Sequence, residues 1–313
     1  MQKETICAFA PATIANLSVG FDVLGLSLDQ VGDTVEVTVN GSTENTILTI
    51  ENGETLPKDR EKNCCSVVIK KMQAQLNDYK GVDIRIRKGF KSGSGMGSSS
   101  ASSAAAAYAY NALVGYPFSE QELVRFAAEG ERVACGAAHA DNVAPAIMGG
   151  LVLVRAHDPI DIISLPLPEG LWAVVLFPDV KINTEDSRAV MQKNISLNLA
   201  CQQWANLGAF VASLYENDLE LFSRSLQDFI AEPVRSNFIP KFQELKQIAL
   251  QSGALGFGIS GSGPSVFAIA SNETAAHNIQ ENLLKTFENT GVDASCFVES
   301  LSGNQGARII DHF

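Results

Sequence analysis

Residues 91–110 read KSGSGMGSSSASSAAAAYAY, from Lys91 to Tyr110, and they decide how the first half of the chain is interpreted. Glycines alternate with other residues at the start, and glycine admits the positive φ angles of a loop folded round a ligand. The serines that follow lead into an alanine-rich run, which predicts a helix over residues 101–113 with a serine near its N-cap. The preceding residues 82–87, VDIRIR, alternate apolar and polar side chains and predict a strand.

The order strand, glycine-rich loop, helix predicts a phosphate site. The N–H groups of the first helical turn and the positive end of the helix dipole both favour anions. The loop is not the P-loop of the common ATPases, because it lacks their Gly-Lys-Ser/Thr ending. The glycine spacing of a Rossmann turn is also absent. A flexible glycine-serine linker is the remaining alternative, and the direct connection to a long alanine helix disfavours it.

The composition indicates an acidic globular protein of two domains. The chain has 313 residues, of which 46% are hydrophobic, and a formal net charge of −12 at pH 7. It can therefore bury a substantial core, and it lacks the excess of Lys and Arg expected of a nucleic-acid binder. No signal peptide and no run of about 18 apolar residues is evident, so we expect no membrane association. Six cysteines without CxxC spacing and four histidines without a metal-ligand pair favour reduced thiols and a cytoplasmic location.

Elsewhere the periodicity predicts a mixture of helices and strands. Among the strands expected from alternating or continuous apolar runs are residues 5–10 (ended by Pro11), 34–39, 46–51, 151–155, 171–177, 266–270 and 294–299. The turn Asn40-Gly41 predicts that the strands at 34–39 and 46–51 pair as a hairpin. Ser119 and Glu122 form a capping box at the start of a helix that carries two further acids, Glu129 and Glu131.

Loosened periodicity and several prolines between residues 158 and 170 indicate a domain boundary. We therefore predict one domain over residues 1–160 and a second over 161–313, with the last strand able to return to the first domain. The second domain contains another glycine loop at residues 256–265, GFGISGSGPS, directly before a predicted strand.

Four stretches together carry a family resemblance: PATIANLSVGFDVLGLSL at residues 11–28, GSGMGSSSAS at 93–102, HADNVAPAIMGG at 139–150 and GISGSGPSVF at 258–267. In this order they resemble the GHMP kinases, the superfamily that includes galactokinase and mevalonate kinase, and most closely its members that act on L-homoserine. The resemblance runs from about residue 7 to the C-terminus. It departs from the usual pattern at Met96, where leucine is more frequent, and at Ser100, where alanine is more frequent.

The resemblance implies an α+β fold of two domains, with a left-handed βαβ unit around the phosphate loop and a ferredoxin-like C-terminal domain. It implies transfer of the γ-phosphoryl group of ATP to the side-chain hydroxyl of L-homoserine, in threonine biosynthesis, with Mg²⁺ as the metal. Phosphoryl transfer requires positioning and charge neutralisation more than covalent help, which such a loop can supply. We also expect a homodimer that binds neither nucleic acid nor membranes.

The site residues follow by matching the family's motifs. The resemblance implies nucleotide contacts from Asn63, Lys91, Ser92, Gly93, Ser94, Gly95, Met96, Gly97, Ser98, Ser99 and Ser100, and Mg²⁺ ligands at Ser99 and Glu131. Glu131 is preferred to Glu129 because it lies eight residues before His139, the family's interval. For the substrate it implies Asn16, Asp22, His139, Asp141, Asn142, Arg188, Arg235, Gly261 and Ser262. Asn16, Asp22, Asn142 and Thr184 are the residues that it places nearest the chemistry.

The roles within the substrate set are expectations from chemistry. Guanidinium forks match carboxylates, so Arg188 and Arg235 should hold the α-carboxylate, while Asp22 pairs with the α-ammonium. Asp22 is the candidate base by analogy, but a carboxylate that holds an ammonium is not free to accept a proton. Two alternatives stay open: a GHMP kinase for another small alcohol such as mevalonate, and a catalytically inactive ligand sensor on the same fold.

Overall fold

The computed structural model describes residues 5–53, 56–136, 138, 140–180, 182 and 184–313, without the side chains of residues 184–186. Its strands are β1 (Thr5–Ala15), β2 (Leu24–Val39), β3 (Thr46–Glu51), β4 (Val82–Arg87), β5 (Leu151–His157), β6 (Ile160–Leu165), β7 (Trp172–Pro178), β8 (Gly256–Ile259), β9 (Val266–Ala270), β10 (Ala294–Ser300) and β11 (Arg308–Ile310). Its helices are α1 (Cys64–Leu76), α2 (Ser98–Leu113), α3 (Glu120–Cys135), α4 (Ala140–Met148), α5 (Thr184–Ala189), α6 (Leu197–Glu216), α7 (Leu219–Ser225), α8 (Glu232–Arg235), α9 (Phe242–Gln251) and α10 (Glu273–Lys285). In this part of the chain every helix is too short or too polar to span a bilayer.

The first half of the molecule is a mixed sheet covered by helices. Among the described residues the sheet has seven strands, in the order β11-β1-β2-β4-β3, with β5 paired to β2 and β6 paired to β5. The strand β4 buries Val82, Ile84 and Ile86 on one face, as its alternating sequence predicts. These side chains share a core with the alanine-rich face and Tyr110 of α2 and with residues of α1, α3 and α4. Small alanines allow α2 to pack closely against its neighbours, so the sheet holds this helix firmly.

The predicted hairpin between residues 34–39 and 46–51 is wrong. The strand β4 lies between them, antiparallel to β2 and parallel to β3. A parallel pair needs a crossover, and α1 provides it, so β3, α1 and β4 form a βαβ unit that leads into the glycine loop. The side chain of Asn40 instead donates hydrogen bonds to Glu44 O and Asp83 Oδ1, which hold a wider loop against β4. The left-handed sense of the crossover stays a prediction.

Two element boundaries near the glycine loop also differ from the sequence prediction. The strand β1 continues past Pro11 to Ala15 through an irregularity between Pro11 and Thr13. A proline removes only one N–H donor, which a bulge tolerates. The helix α2 begins at Ser98 rather than at residue 101, and its N-cap is Gly97 at φ +70° rather than a serine. The N–H groups of residues 98–100 therefore belong to the first helical turn.

The second half has the predicted ferredoxin-like topology. Its described strands form an antiparallel sheet in the order β10-β7-β9-β8. Along the chain the elements run strand, helices, two strands, helix, strand, which is the ferredoxin-like arrangement. Phe210 and Phe222, from α6 and α7, pack with Ile14 and Leu26 of the first half in one shared core. This shared core ties the two halves together around the site.

The chain passes from the first sheet to the second between β6 and β7. The predicted boundary after residue 160 falls on the first residue of β6, although β6 pairs with β5 and so belongs to the first sheet. After the second half is complete, β11 returns and pairs antiparallel with β1. The first and last described strands, β1 and β11, are thus neighbours in one sheet.

Candidate functional site

The glycine loop curls over the start of α2. Gly93, Gly95 and Gly97 have φ angles of +78°, +82° and +70°. A Cβ atom at Gly95 would lie 2.6 Å from Gly263 O, and one at Gly97 would lie 2.4 Å from Thr13 Oγ1. Both positions therefore require glycine for space as well as for backbone conformation. Within the described residues no side chain caps the start of α2, so its first N–H groups are available to an anion.

Both halves of the molecule hold this loop. The contacts are Thr13 N–H to Met96 O at 3.0 Å, Ser265 N–H to Ser94 O at 3.1 Å, and Ser260 Oγ to Gly95 O at 2.9 Å. The side chains of Ser94 and Met96 are buried, so these two residues can reach a nucleotide only through their backbone. The Lys91 side chain is exposed and pairs with Asp179 at 2.6 Å. Ser92 Oγ lies 3.4 Å from Ser98 Oγ.

Behind the loop lies a buried ion pair that was not predicted from the sequence. Lys88 Nζ pairs with Asp33 and also donates to Ser98 O at 2.8 Å and to Ser102 Oγ at 2.9 Å. Asp33 accepts a further hydrogen bond from the N–H of Gly89 at 3.1 Å. Burying two charges is costly unless they are well paired, and here the pair joins the end of β4 to the first turn of α2. The only sequence feature that points to this ion pair is Lys88 itself, which lies directly between an apolar strand and a glycine loop.

Glu131 is a buried carboxylate beside the first turn of α2. Its helix, α3, begins with the capping box of Ser119 and Glu122, which confirms that prediction. Glu131 is 4% exposed, and its Oε2 accepts a hydrogen bond from Ser100 Oγ at 3.0 Å. Ser99 Oγ, in the first turn of α2, lies 3.4 Å from Cys135 Sγ at the C-terminal end of α3. The hydroxyl of Ser100 therefore orients Glu131 towards the phosphate loop.

The donors at this place fit Mg²⁺. A carboxylate and a serine hydroxyl are hard oxygen ligands, and Mg²⁺ commonly takes only one or two protein ligands, with water and phosphate oxygens completing its shell. The described residues contain no cluster of three or more His, Cys, Asp or Glu side chains that could hold a metal. A sparse set such as Ser99 and Glu131 is the kind of site that relies on a nucleotide for its remaining ligands.

Residues 16–22 form a strained loop next to the second glycine loop. Asn16, Ser18 and Asp22 have φ angles of +72°, +58° and +58°, which non-glycine residues rarely adopt and which cluster at functional sites. Asn16 holds this conformation, because its Oδ1 accepts from the N–H of Asp22 at 2.9 Å and its Nδ2 donates to Gly261 O at 3.0 Å. The structure thus brings together three of the predicted substrate residues.

The two predicted substrate arginines meet this loop. Arg188 donates to both carboxylate oxygens of Asp22, at 3.0 and 3.1 Å. Arg235 is 4% exposed, donates to Gly261 O at 3.0 Å and lies 4.9 Å over the ring of Phe21. Burial lowers the pKa of the Arg235 guanidinium from its ordinary value. Asp22 therefore already has a cationic partner, Arg188. The sequence analysis expected Asp22 to pair with the substrate ammonium and did not predict this ion pair.

Asp141 and Asn142 lie in the first turn of α4, close to both loops. Asn142 Oδ1 accepts a hydrogen bond from Thr13 Oγ1 at 2.9 Å, and a Cβ atom at Gly97 would lie 2.8 Å from the same oxygen. Asp141 is buried. Its burial, followed by the negative charge of Asp22, raises the pKa of the Asp141 carboxyl to about 7. This carboxyl is therefore sensitive to any cation that enters the site.

For the remaining predicted residues the structure gives fewer contacts or none. Ser187 Oγ donates to Ser262 O at 3.0 Å, which holds the second glycine loop. Asn63 is the N-cap of α1: it accepts from the N–H of Cys65 at 3.1 Å and donates to Pro57 O at 2.9 Å. A contact with adenine would use its other amide hydrogen. His139 and the side chain of Thr184 lie outside the described residues.

Comparison with known proteins gives the family. Residues 63–150 match the GHMP kinases N terminal domain, and residues 210–289 match the GHMP kinases C terminal domain. The homoserine kinase of Chlorobium phaeobacteroides (strain BS1) is 43% identical over 91% of this chain and 92% of its own length. That of Methanococcus maripaludis (strain C5 / ATCC BAA-1333) is 37% identical over 96% of this chain and 100% of its own length. The chain belongs to the homoserine kinases of the GHMP kinase family.

Solved structures support the same family. The crystal structure of homoserine kinase from Cytophaga hutchinsonii is 44% identical and matches with a TM-score of 0.95 over 99% of this chain and 98% of that chain. The mevalonate kinase of L. major is 14% identical and matches with a TM-score of 0.70 over 96% of this chain and 97% of that chain, so it shares the fold. The predicted two-domain GHMP kinase fold is confirmed. The individual site residues stay predictions. Among the described ones, Asn16, Asp22, Arg188, Arg235 and Gly261 lie in contact with one another.

Proposed function

We propose that this chain transfers the γ-phosphoryl group of ATP to the side-chain hydroxyl of L-homoserine, forming ADP and O-phospho-L-homoserine, as a cytoplasmic homodimer in threonine biosynthesis. The observation that carries the proposal is the cluster of Asp22, Arg188 and Arg235 next to a phosphate-type loop. Free amino acids are zwitterions at neutral pH. One carboxylate and two guanidinium groups provide complementary charges for both ends of such a molecule.

The amino acid would insert between Asp22 and Arg188. Their side chains are 36% and 40% exposed, so solvent and substrate can reach the pair. The substrate ammonium would pair with Asp22, while the substrate carboxylate would pair with Arg188 and the neighbouring Arg235. One ion pair is then replaced by two, and no charge in the site is left without a partner. Mevalonate carries a carboxylate but no ammonium, so it offers Asp22 no cation to replace Arg188, which disfavours that alternative.

The nucleotide phosphates would lie against the N–H groups of residues 93–100. Mg²⁺ held by Ser99 and Glu131 would neutralise charge on the phosphate oxygens. Asn142 lies beside Gly97, and we infer that it orients the substrate hydroxyl together with Asn16 and Thr184. Asp22 is engaged with cations throughout, so we infer that it binds rather than acts as a base. The hydroxyl proton would leave late, to phosphate or water.

A coupled ADP-release assay with homoserine, mevalonate and shikimate tests this proposal. We expect turnover with homoserine and kcat/KM values for the other two alcohols that are lower by orders of magnitude. The buried Glu131 and the intact phosphate loop favour an active enzyme over a ligand sensor. Binding of homoserine without ADP release would support the sensor, and faster turnover of mevalonate would contradict the proposed substrate.

The carboxyl of Asp141 should make homoserine binding depend on pH. With a pKa of about 7 it is partly protonated near neutral pH in the free protein. The ammonium of bound homoserine favours the charged carboxylate, so binding releases a proton below that pKa and tightens as the pH rises. The dissociation constant should fall by up to about 10-fold per pH unit below the pKa and level off above it. Titration calorimetry at pH values below and above 7 measures the dissociation constant of homoserine. An equally steep pH dependence for Asp141→Asn would contradict the assignment.

A further inference from the structure

One buried amide side chain of α6 connects the two segments that carry opposite charges of the site. Gln203 is 9% exposed. Its Nε2 donates to Val19 O at 2.8 Å, in the loop that carries Asp22. Its Oε1 accepts from the N–H of Phe229 at 2.9 Å, in the segment that leads to Arg235. A carbonyl on one side and an N–H on the other fix the orientation of this amide, so both of its ends hold main-chain atoms.

The bond to Val19 bears directly on Asp22, because the loop between them is tied internally. The N–H of Gly20 donates to Asn16 O at 2.8 Å. The side chain of Asn16 then accepts from the N–H of Asp22 at 2.9 Å. A displacement of Val19 is therefore passed on to the backbone that presents the Asp22 carboxylate.

The bond to Phe229 bears on Arg235 in the same way. The neighbouring Asp228 accepts from the N–H of Ala231 through Oδ1 and from the N–H of Glu232 through Oδ2, each at 2.9 Å. The N–H of Arg235 donates to Ala231 O at 2.9 Å. The segment 228–235 is thus one hydrogen-bonded unit, and the position of its first residues determines where the guanidinium lies.

Direct packing leaves space between the loop and the segment. A cavity of about 10 Å³ separates them, lined among others by Asn16, Ser18, Asp228 and Arg235. It is close to the size that holds one water molecule. Asn16 and Arg235 also share Gly261 O as an acceptor, but both are proposed to bind the substrate. Gln203 is not one of the predicted substrate residues, and it holds the two backbones from a helix that is fixed in the shared core by Phe210.

We propose that Gln203 is a positioning residue that sets the separation of Asp22 and Arg235 and thereby selects α-amino acids. In an α-amino acid the ammonium and the carboxylate are attached to the same carbon. A β-amino acid places them one bond further apart, so it does not meet both partners at once. The inference rests on the proposed function, in which the ammonium of homoserine pairs with Asp22 and its carboxylate pairs with the arginines.

The test compares L-homoserine with its β-amino homologue, which has one further methylene between the ammonium-bearing carbon and the carboxylate. Gln203→Met keeps the unbranched shape and loses both hydrogen bonds. A misplacement of about 1 Å can cost on the order of 10²-fold in rate, so we expect kcat/KM for homoserine to fall by roughly 10- to 100-fold. The preference for homoserine over the homologue should fall by roughly 10-fold or more, while the KM for ATP stays unchanged.

Gln73→Met is the matched control. Gln73 is 5% exposed, and it too is bonded at both ends: its Nε2 donates to Lys80 O at 2.8 Å, and its Oε1 accepts from Asn45 Nδ2 at 3.0 Å. Both substitutions leave buried polar groups without a partner, so both should lower the melting temperature. Only Gln203→Met should change the substrate preference. If it lowered activity but kept the wild-type preference, Gln203 would be structural only and the proposal would be overturned.

Gln203→Glu carries the test if the methionine variant does not fold. Its carboxylate still accepts from the N–H of Phe229, but it presents an acceptor to Val19 O, which repels it. The loop that carries Asp22 is then released while the segment that carries Arg235 stays held. We expect this variant to lose most of the preference for homoserine over the β-amino homologue. A wild-type preference in a folded Gln203→Glu would count against the proposal.

Amide hydrogen exchange separates this inference from the proposed function. In Gln203→Met the N–H groups of residues 16–22 and of Phe229 should exchange faster than in the wild-type chain, whereas Gln73→Met should leave them unchanged. This readout needs no substrate. A wild-type chain that does not phosphorylate homoserine would contradict the proposed function itself. Unchanged exchange in both segments of Gln203→Met would overturn the positioning role, whichever substrate the enzyme accepts.

Discussion

Replacing Glu131 by Gln is expected to lower kcat for homoserine phosphorylation on the order of 10²-fold or more, the typical loss when one preorganised charge-stabilising group is removed. The side chain is 4% exposed and accepts a hydrogen bond from Ser100 Oγ at 3.0 Å. Glutamine has the same shape and can still accept that bond, so the fold should be kept. It lacks the negative charge, so a metal there would lose its only protein carboxylate among the proposed ligands.

Steady-state kinetics at increasing Mg²⁺ concentration, with homoserine binding measured separately by calorimetry, tests the metal assignment. Glu129→Gln is the matched control, because Glu129 lies on the same helix but pairs with Arg132 at 3.3 Å near the surface. Ser99→Ala should lower kcat as well, whereas Ser100→Ala should have a smaller effect, since Ser100 only orients the carboxylate. If Glu131→Gln and Ser99→Ala both kept near-normal kcat at saturating Mg²⁺, the metal would have to be held by other residues.

The phosphate loop could be predicted from the sequence because its causes are local. The positive φ angles of Gly93, Gly95 and Gly97 and the propensity of the alanine run are properties of neighbouring residues. The ferredoxin-like half was predicted only through the family resemblance, since strand order depends on contacts between distant segments. The start of α2 was misplaced by three residues, because a glycine cap with a positive φ leaves less trace in sequence than a serine cap.

Other features could not be read from local sequence. The strand β3 pairs with β4 rather than with β2, and a parallel pair joined by a crossover through α1 cannot be inferred from the turn at Asn40-Gly41. Lys88 and Asp33 lie 55 residues apart, and Asp22 and Arg188 lie 166 residues apart. The charges of such residues are visible in the sequence, but their pairing depends on the completed fold. Family motifs indicated Asp22 and Arg188 as substrate residues without indicating that they bind each other.

Replacing Arg235 by Met is expected to lower kcat/KM for homoserine by about 10- to 150-fold and to leave the KM for ATP unchanged. Losing a charge-assisted hydrogen bond in a closed site costs roughly 1.5–3 kcal/mol. The fold should tolerate this change. Gly261 O keeps the hydrogen bond from Asn16 Nδ2 at 3.0 Å, and the methionine side chain can still pack on the ring of Phe21. Arg235→Lys should restore activity only partly, because lysine keeps the charge but loses the planar fork.

The discriminating measurement compares homoserine with its amide, in which the carboxylate is replaced by a neutral group. The wild-type chain should strongly prefer homoserine, whereas Arg235→Met and Arg188→Met should lose most of that preference. Arg155→Met is the control, because Arg155 is 63% exposed, pairs with Asp161 across β5 and β6, and is not one of the predicted substrate residues. An unchanged preference in both site variants would mean that the carboxylate binds elsewhere. The cluster of Asp22, Arg188 and Arg235 would then no longer explain why this site accepts an amino acid.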